Sequence, residues 1–277
     1  MTKKTILITG CSTGIGYDAA HTLSQKGWRV FATCRLEEDC IRLRNEGLES
    51  FTLDYSCEKS VQAAVTETLM RTNGTLDALY NNGAYAIPGL VQDIPREAYR
   101  AIFEVNLFGY FDLINKILPI MQDQGHGRII NCSSILGFTA IKARGAYNAT
   151  KFAMEGLTDT LRLELGKSPI KVILIEPGPI TANIRINSQQ HFEKWINWKS
   201  SRDILFYEKK LIPRLYSTTN TLDFGQLPAS AVTQKIIHAL ESKHPFPRYY
   251  VTMPTFIAGA CNRLFSTRVL DWIKSKL

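Results

Sequence analysis

No stretch of the 277 residues approaches the ~20 consecutive apolar residues that a membrane-spanning helix needs. The start, Met1-Thr2-Lys3-Lys4-Thr5, leads into Ile6-Leu7-Ile8, an apolar run too short for the core of a signal peptide. It reads as a first strand, and the expected compartment is the cytoplasm. Cysteine is sparse: Cys11, Cys34, Cys40, Cys57, Cys132 and Cys261 contain no Cys-x-x-Cys pair and no zinc-type spacing. Reduced thiols, several of them buried as small apolar groups, are therefore expected. The five histidines are scattered, with no His-Glu-x-x-His, so no metal site is expected. Repeats, low-complexity tracts and linker-like stretches are also missing, so one domain over 1–277 is expected. The net charge of +8 is concentrated late, since residues 209–277 hold ten Lys/Arg against three Asp/Glu. No aromatic-basic motif or helix-turn-helix pattern accompanies that charge, so no nucleic-acid partner is expected. An anionic cofactor or a membrane surface accounts for it as well.

What the chain does have is alternation. Short β-branched runs at Thr5–Thr9, Val30–Cys34, Ser50–Leu53, Leu76–Tyr80, Arg128–Cys132, Val172–Ile175 and Tyr249–Thr252 predict strands. Between them, helix-period stretches cover Gly14–Lys26, Leu36–Asn45, Ser60–Arg71, Arg96–Gln122 (interrupted at Pro119), Ala146–Leu165 and Ala229–Glu241. Such a βαβα series predicts an α/β fold with a doubly wound parallel sheet covered by helices on both faces. Residues 182–226 break the series as an irregular, polar and aromatic piece (His191, Phe192, Trp195, Trp198, Phe206, Tyr207). Its length predicts a lid or substrate-binding insertion.

Directly after the first strand comes Thr9-Gly10-Cys11-Ser12-Thr13-Gly14-Ile15-Gly16. Glycines there let the backbone turn tightly and approach a pyrophosphate, whose charge rests on the N-terminus of the next helix. At the end of the second strand, about 20 residues on, an NAD-dependent enzyme places a carboxylate on the ribose hydroxyls. Here Cys34 and Arg35 stand instead. A guanidinium binds a 2′-phosphate through two parallel hydrogen bonds, and Ser12 and Thr13 add hydroxyls, so NADP(H) is the expected cofactor. The acidic run Glu37-Glu38-Asp39 lies just beyond and is read as the start of a helix.

Tyr147-Asn148-Ala149-Thr150-Lys151 places a phenol and an ammonium four residues apart, on one helix face. A free tyrosine titrates near ~10, and acid–base work near neutrality asks for a fall of about 3, or ~4 kcal/mol. One cation at ~4 Å supplies about that at an effective dielectric of ~20, so Lys151 is expected to activate Tyr147. Thirteen residues upstream, Ser134 ends a predicted strand, where α/β folds bind ligands. It is placed to hold a carbonyl oxygen beside Tyr147; Ser133 fits less well by spacing.

On the glycine loop and the Ser134–Tyr147–Lys151 set, the chain resembles the short-chain dehydrogenase/reductase family over nearly its whole length. The resemblance implies a Rossmann-like single domain that moves a hydride between nicotinamide and an alcohol–carbonyl pair. It further implies that Asn106, in Val105-Asn106-Leu107-Phe108-Gly109, is a fourth catalytic residue holding a water for proton relay to the lysine. Asp54 would contact adenine, and Pro177-Gly178-Pro179-Ile180-Thr181 would cover the nicotinamide. The family's Asn-Asn-Ala-Gly appears here as Asn81-Asn82-Gly83-Ala84, with the glycine one place early, so Asn82 is the firmer cofactor neighbour and Gly83 the second. The Cys-Ser-x-Gly-Ile-Gly loop, Ala32-Thr33-Cys34-Arg35 and Arg248-Tyr249-Tyr250 resemble the hydroxysteroid and retinol dehydrogenase-like branch, which includes bacterial NADP-dependent aldehyde reductases.

The expected reaction is reduction by NADPH of an apolar aldehyde or ketone, such as a medium-chain aldehyde, a retinoid or a steroid. A sugar-nucleotide epimerase or dehydratase has a similar Tyr–Lys pair but a different glycine loop and a larger C-terminal substrate domain. A non-catalytic NADP sensor would not need the acid–base set. Phe152, Met154, Leu157, Leu161 and Leu165 continue the catalytic helix as a broad apolar face, and in this family that helix commonly meets a second subunit, so a homodimer or homotetramer is expected. Residues 254–277 are expected to form two short helices. Their apolar faces carry Phe256, Ile257, Leu264, Phe265, Val269, Leu270, Trp272 and Ile273, with Arg263, Arg268, Lys274 and Lys276 at the edges. This tail is expected to border the substrate site and to touch a membrane peripherally.

Overall fold

Side chains alternate along the first strand: Ile6 and Ile8 pack on one face of the sheet and Leu7 on the other, all fully buried. The computed structural model describes residues 3–217 and 222–275, so 218–221 of the expected lid, and Lys276 and Leu277 of the expected tail, lie outside the described residues. The chain runs β1 (Thr5–Ile8), α1 (Gly14–Gln25), β2 (Arg29–Cys34), α2 (Glu37–Asn45), β3 (Glu49–Thr52), α3 (Glu58–Arg71) and β4 (Ala78–Asn81). It continues through α4 (Arg96–Phe103), α5 (Gly109–Asp123), β5 (Arg128–Cys132), α6 (Gly145–Leu165), β6 (Lys171–Glu176) and α7 (Ile184–Trp195). Two short helices, α8 (Ile204–Phe206) and α9 (Ile212–Leu215), precede α10 (Ala229–Glu241), β7 (Arg248–Tyr250), α11 (Met253–Leu264) and α12 (Thr267–Ser275).

The seven strands pair in parallel in the order β3-β2-β1-β4-β5-β6-β7. Each crossover therefore places a helix on one face or the other, and the expected single-domain, Rossmann-like doubly wound sheet is what the chain forms. One core layer joins Ile6, Ile8, Val30 and Ala32 to Ala19, Leu23, Val232 and Ile236 of α1 and α10. The opposite layer joins Leu7, Phe31, Leu79 and Ile129 to Val61, Leu113, Ile117 and Met154 of α3, α5 and α6. The chain leaves β1 towards β2 and returns to its other side as β4, which opens a crevice at the C-terminal strand ends, where such sheets bind ligands.

Three expectations change. The helix over 96–122 is not interrupted at Pro119. Pro119 sits inside α5, and both it and Asn115, whose carbonyl loses its partner, face solvent, where water satisfies the freed group. The real irregularity is a π-turn at Glu104–Phe108, centred on Asn106. The stretch 182–226 is not irregular but mostly helical, because Phe192, Ile196, Tyr207, Leu211 and Leu215 bury one apolar face against Ile87, Leu90, Ile94, Ile102 and Tyr147. Finally, β4 starts at Ala78 rather than Leu76, since the backbone of Leu76 is bonded on both sides by the Gln124 amide (3.1 and 2.7 Å).

Candidate active site

Gly10 and Gly14 follow β1 with φ of 66° and 63°, the left-handed region that glycine enters without steric cost. A Cβ on Gly10 would stand 2.5 Å from the Gly83 Cα, and one on Gly16 would stand 2.4 Å from the Gly10 carbonyl oxygen. The loop after β1 is therefore packed backbone to backbone against the loop after β4. Asn82 clamps the two together: its amide donates to the carbonyls of Thr9 (3.1 Å) and Gly10 (3.2 Å), and the Thr9 hydroxyl accepts from the Asn82 N–H (2.9 Å). A Cβ on Gly83 would make only ordinary contacts of 3.4 Å, so the family's alanine fits there and the displaced glycine leaves the loop's packing intact.

Thr13 caps α1 in extended backbone without a side-chain cap bond, and the helix has no acidic residue in its first turn. Its leading amides, with Ile15 and Gly16 behind them, form the donor set a pyrophosphate needs. Ser12 is half-buried beside this end and Thr13 is exposed. Gly14 lies against Ala182, at 3.3 Å from the built Cβ, so the 177–182 segment forms the far wall. In that wall the Pro177 carbonyl accepts from the Ile135 N–H (2.7 Å), Gly178 packs on Thr252 and Thr255, and Ile180 reaches the core. Thr181 is tied to Leu227 through its N–H (2.9 Å) and accepts from the Gln226 amide (3.0 Å).

Arg35 is exposed just past β2 and has no hydrogen bond or ion pair among the described residues. Its charge acts on Tyr85 and His191, whose rings stack at 3.9 Å between the loop after β4 and α7. Burial, then Arg35 and Lys194, push His191 down to about 4, so this imidazole is neutral near pH 7. Asp54 lies two residues beyond β3, and its Oδ1 accepts from the Ser56 N–H (2.9 Å) and hydroxyl (2.7 Å). These residues fit a dinucleotide: a glycine cradle that a Cβ would fill, an anion-ready helix end and an unpaired guanidinium at the adenosine side.

Tyr147 and Lys151 lie on the buried face of α6, and Ser134 follows β5. The Ser134 oxygen accepts from the Leu136 N–H (3.1 Å), and its hydroxyl lies near enough to the Tyr147 phenol to oppose the rise in the phenol's pKa. Ser134 is half-buried whereas Ser133 is buried, which leaves Ser134 as the serine that faces the crevice. Lys151 is almost wholly buried; its Nζ donates to the Cys132 carbonyl (2.7 Å) and lies 5.7 Å from the Tyr147 ring centre. The expected lowering of the phenol's pKa by Lys151 is not found. Burial and the nearby Cys132 push Tyr147 up, and Ser134 and Arg144 only partly oppose them. Lys151 falls to about 8, because burial outweighs the attraction of Cys132 and Glu155.

Asn106 is fully buried in the π-turn, and its side chain is committed: Oδ1 accepts from the Tyr85 N–H (3.1 Å), while Nδ2 donates to the Tyr85 carbonyl (2.8 Å) and to Thr150 (3.3 Å). Thr150 in turn donates to the Tyr147 carbonyl (2.8 Å), so Asn106 ties the loop of Tyr85 to α6. The fold thus gathers Gly10 to Gly16, Arg35, Asn82, Gly83, Asn106, Ser134, Tyr147, Lys151 and 177–181 at one sheet end, with Asp54 at its margin.

Sequence reasoning missed two residues. Arg42 donates to the Ser12 carbonyl (2.6 Å) and braces the glycine loop from α2. Arg144, three residues before Tyr147, acts on the phenol across the first turn of α6, and helical spacing is the signal that would have found it.

Comparison with known proteins bears on this geometry. A family model described as short chain dehydrogenase matches residues 4–193. The chain is 35% identical over 271 residues to the oxidoreductase YbbO of Escherichia coli K12, covering 98% of this chain and 94% of that one. It is 30% identical to retinol dehydrogenase 7 of Mus musculus, over 93% of this chain and 87% of that one. A short chain dehydrogenase/reductase from Burkholderia phymatum, solved in complex with NAD, superposes with a TM-score of 0.76 at 24% identity, over 95% and 92% of the two chains.

Proposed function

The chain belongs to the short-chain dehydrogenase family, whose members are oxidoreductases acting on CH–OH and C=O groups, and from that premise we propose that it uses NADPH to reduce an apolar aldehyde or ketone. The observation that carries this reading is that Ser134, just past β5, and Tyr147, on the buried face of α6, come together at the crevice with Lys151 one turn further along the helix. A bound nicotinamide supplies the hydride. Ser134 orients and polarises the carbonyl oxygen, and Tyr147 donates the proton to it. A buried phenol with a raised pKa stays protonated near neutrality, which suits donation in the reducing direction. Lys151 supplies the positive charge behind the phenol and restores its proton. Asn106 serves that relay by position, since its side chain is held by Tyr85 and Thr150.

The cofactor walls are proposed as Gly10, Ser12, Thr13, Gly14, Ile15 and Gly16 at the pyrophosphate, Asp54 at the adenine, Asn82 and Gly83 behind the loop, and Pro177, Gly178, Ile180 and Thr181 at the nicotinamide. Arg35 selects NADPH. Cys34 is almost wholly buried, so a carboxylate placed there would be costly and Arg35 alone is the cleaner test. Charge-assisted hydrogen bonds are worth about 1.5–3 kcal/mol. Arg35→Ala is therefore expected to weaken NADPH binding by roughly 10- to 100-fold while leaving NADH within about twofold. Equal losses for the two cofactors in a fluorescence titration would remove Arg35 from phosphate recognition.

The apolar substrate is inferred from the buried apolar cluster to which Tyr147 belongs, with Ile87, Leu90, Phe192, Tyr207 and Leu211, and from the 182–226 segment that supplies three of these. We read that segment as the lid of the single domain. The tail borders the same region, because Thr252 and Thr255 pack on Gly178 and Asn262 donates to the Phe138 carbonyl. It also presents an outward stripe of Met253, Phe256, Ile257 and Leu264, continued by Val269 and Trp272 on α12, beside Arg263, Arg268 and Lys274. No helix among the described residues is long and apolar enough to cross a membrane, so the proposed contact is peripheral. Val269→Glu with Trp272→Glu is expected to abolish sedimentation with anionic vesicles at low salt without changing turnover of a short carbonyl; a wild-type protein that never sediments would dismiss the contact.

On α6, Met154 faces its own sheet while Phe152 and Leu157 point outward, and these two are the proposed centre of a dimer contact. The six free cysteines fit a reducing compartment such as the cytoplasm.

A further inference from the structure

The face of α6 that carries Tyr147 and Lys151 continues at the same four-residue step with Glu155 and Asp159. These carboxylates run into a charged cluster away from the crevice. Arg248, the first residue of the edge strand β7, donates through one nitrogen to both Glu155 and Glu176, and through the other to Asp159. Glu176 ends β6 immediately before Pro177 and is fully buried, and Glu155 is nearly so. Their second oxygens, Glu155 Oε1 and Glu176 Oε2, are buried without a hydrogen-bond partner, as is the Ser133 hydroxyl. Two of these atoms converge on one spot: a Cβ on Gly137 would stand 2.5 Å from Ser133 Oγ and 2.8 Å from Glu155 Oε1.

One guanidinium cannot balance three carboxylates in such a place. Arg162 takes part of the charge of Asp159 at 2.7 Å, which leaves Glu155 and Glu176 sharing Arg248. Two carboxylates that close, with little solvent, hold a proton between them rather than both ionising. We propose that Glu155 and Glu176, clamped by Arg248, form a buried acid pair in which Glu176 keeps the proton and ionised Glu155 is the countercharge that holds Lys151 protonated behind Tyr147. Glu155 and Glu176 are then positioning residues for the proton supply, acting through Lys151 without touching substrate. This rests on the assignment of Tyr147 and Lys151 proposed above.

The surroundings agree in direction. Glu176 is pushed up to about 8, by burial first and by Glu155 second, with Arg248 opposing. Around Lys151 the facing groups are Tyr147 and Glu155 on α6, Cys132 on β5 and the Tyr110 ring of α5. Around the pair they are Arg248 and Tyr250 on β7, Asp159 on α6 and, beyond Tyr250, Arg263 on α11. Cys132 and Glu155 both raise Lys151, but burial pushes the Cys132 thiol up and keeps it neutral, so near pH 7 the carboxylate of Glu155 is the anion of this set. Removing it lowers the Lys151 pKa further, so the ammonium is lost at a lower pH.

Two conservative variants separate this from a structural role. Glu155→Gln is expected to move the alkaline limb of kcat/KM for carbonyl reduction down by about one pH unit, with cofactor affinity unchanged. Glu176→Gln, nearly isosteric with a protonated acid, is expected to leave that limb in place below about pH 8. A loss from Glu155→Gln that is equal at every pH, or equal limb shifts from both variants, would overturn the proposal. An arm independent of activity is infrared difference spectroscopy. The wild-type protein near pH 7 should show a protonated-carboxyl stretch that Glu176→Gln removes and Tyr147→Phe retains. If no such band exists, the pair is not an acid pair, whether or not the Gln variants fold and whatever reaction the protein catalyses.

Discussion

Tyr147→Phe is expected to lower turnover by about 10²- to 10⁴-fold, the usual cost of removing a general acid, while NADPH affinity stays within about twofold. The substitution deletes one hydroxyl and keeps the ring, which belongs to the same apolar cluster as Ile87, Leu90 and Phe192. What disappears is the transferable proton and the phenol oxygen that the Ser134 hydroxyl influences. Neither α6 nor the glycine loop depends on that oxygen, because Thr150 bonds the Tyr147 main-chain carbonyl and Asn82 closes the loop independently. Steady-state rates on one carbonyl, paired with a fluorescence titration of NADPH, check both halves. Near-normal turnover would place the proton donor elsewhere, and a comparable loss of NADPH binding would make the effect structural.

Gly16→Ala should be the more damaging of two single-methyl additions at the cofactor loop, with Gly83→Ala nearly silent. At Gly16 the new carbon would lie 2.4 Å from a backbone carbonyl oxygen and 2.7 Å from the Asn82 amide, neither of which can move without opening the clamp between the two loops. Overpacking of this kind typically costs about 1–3 kcal/mol, equivalent to a weakening of roughly 5- to 150-fold if the strain is released by displacing the loop. At Gly83 the nearest atoms are 3.4 Å away and the backbone is not left-handed, so a methyl group is accommodated. Thermal melts and NADPH titrations of the two variants test this. Equal cofactor affinity in both would mean the close approach of the loops is not needed for binding.

Period and turn chemistry made the sheet legible. β-branched strands, helix-period stretches and the glycine turn are local properties, and each strand–helix unit was found within a few residues of its place. The shared face of Tyr147 and Lys151 was legible for the same reason, since residues four apart on a helix lie on one side. What the sequence did not reveal depends on tertiary contacts. The helices within 182–226 form because Phe192, Tyr207 and Leu211 find an apolar surface made by residues near 90 and 100. The tolerance of α5 for Pro119 depends on which side of the helix meets water. The direction in which Tyr147 titrates is set by burial, a tertiary property that the spacing of Tyr147 and Lys151 does not carry. Arg248 was visible only as part of a tail motif, and its bonds to three carboxylates arise from the placement of β7 beside β6.

In the proposed reaction this chain moves hydride from NADPH to a carbonyl with Tyr147 as the proton donor. It is tested most directly by following NADPH consumption and alcohol formation together across a panel of apolar aldehydes and ketones, with Tyr147→Phe run in parallel. The account predicts one alcohol formed per NADPH consumed for at least one panel member, at a rate the variant loses by about 10²-fold or more. Tight NADPH binding with no carbonyl consumed by either protein would contradict it and point instead to a dinucleotide-sensing role.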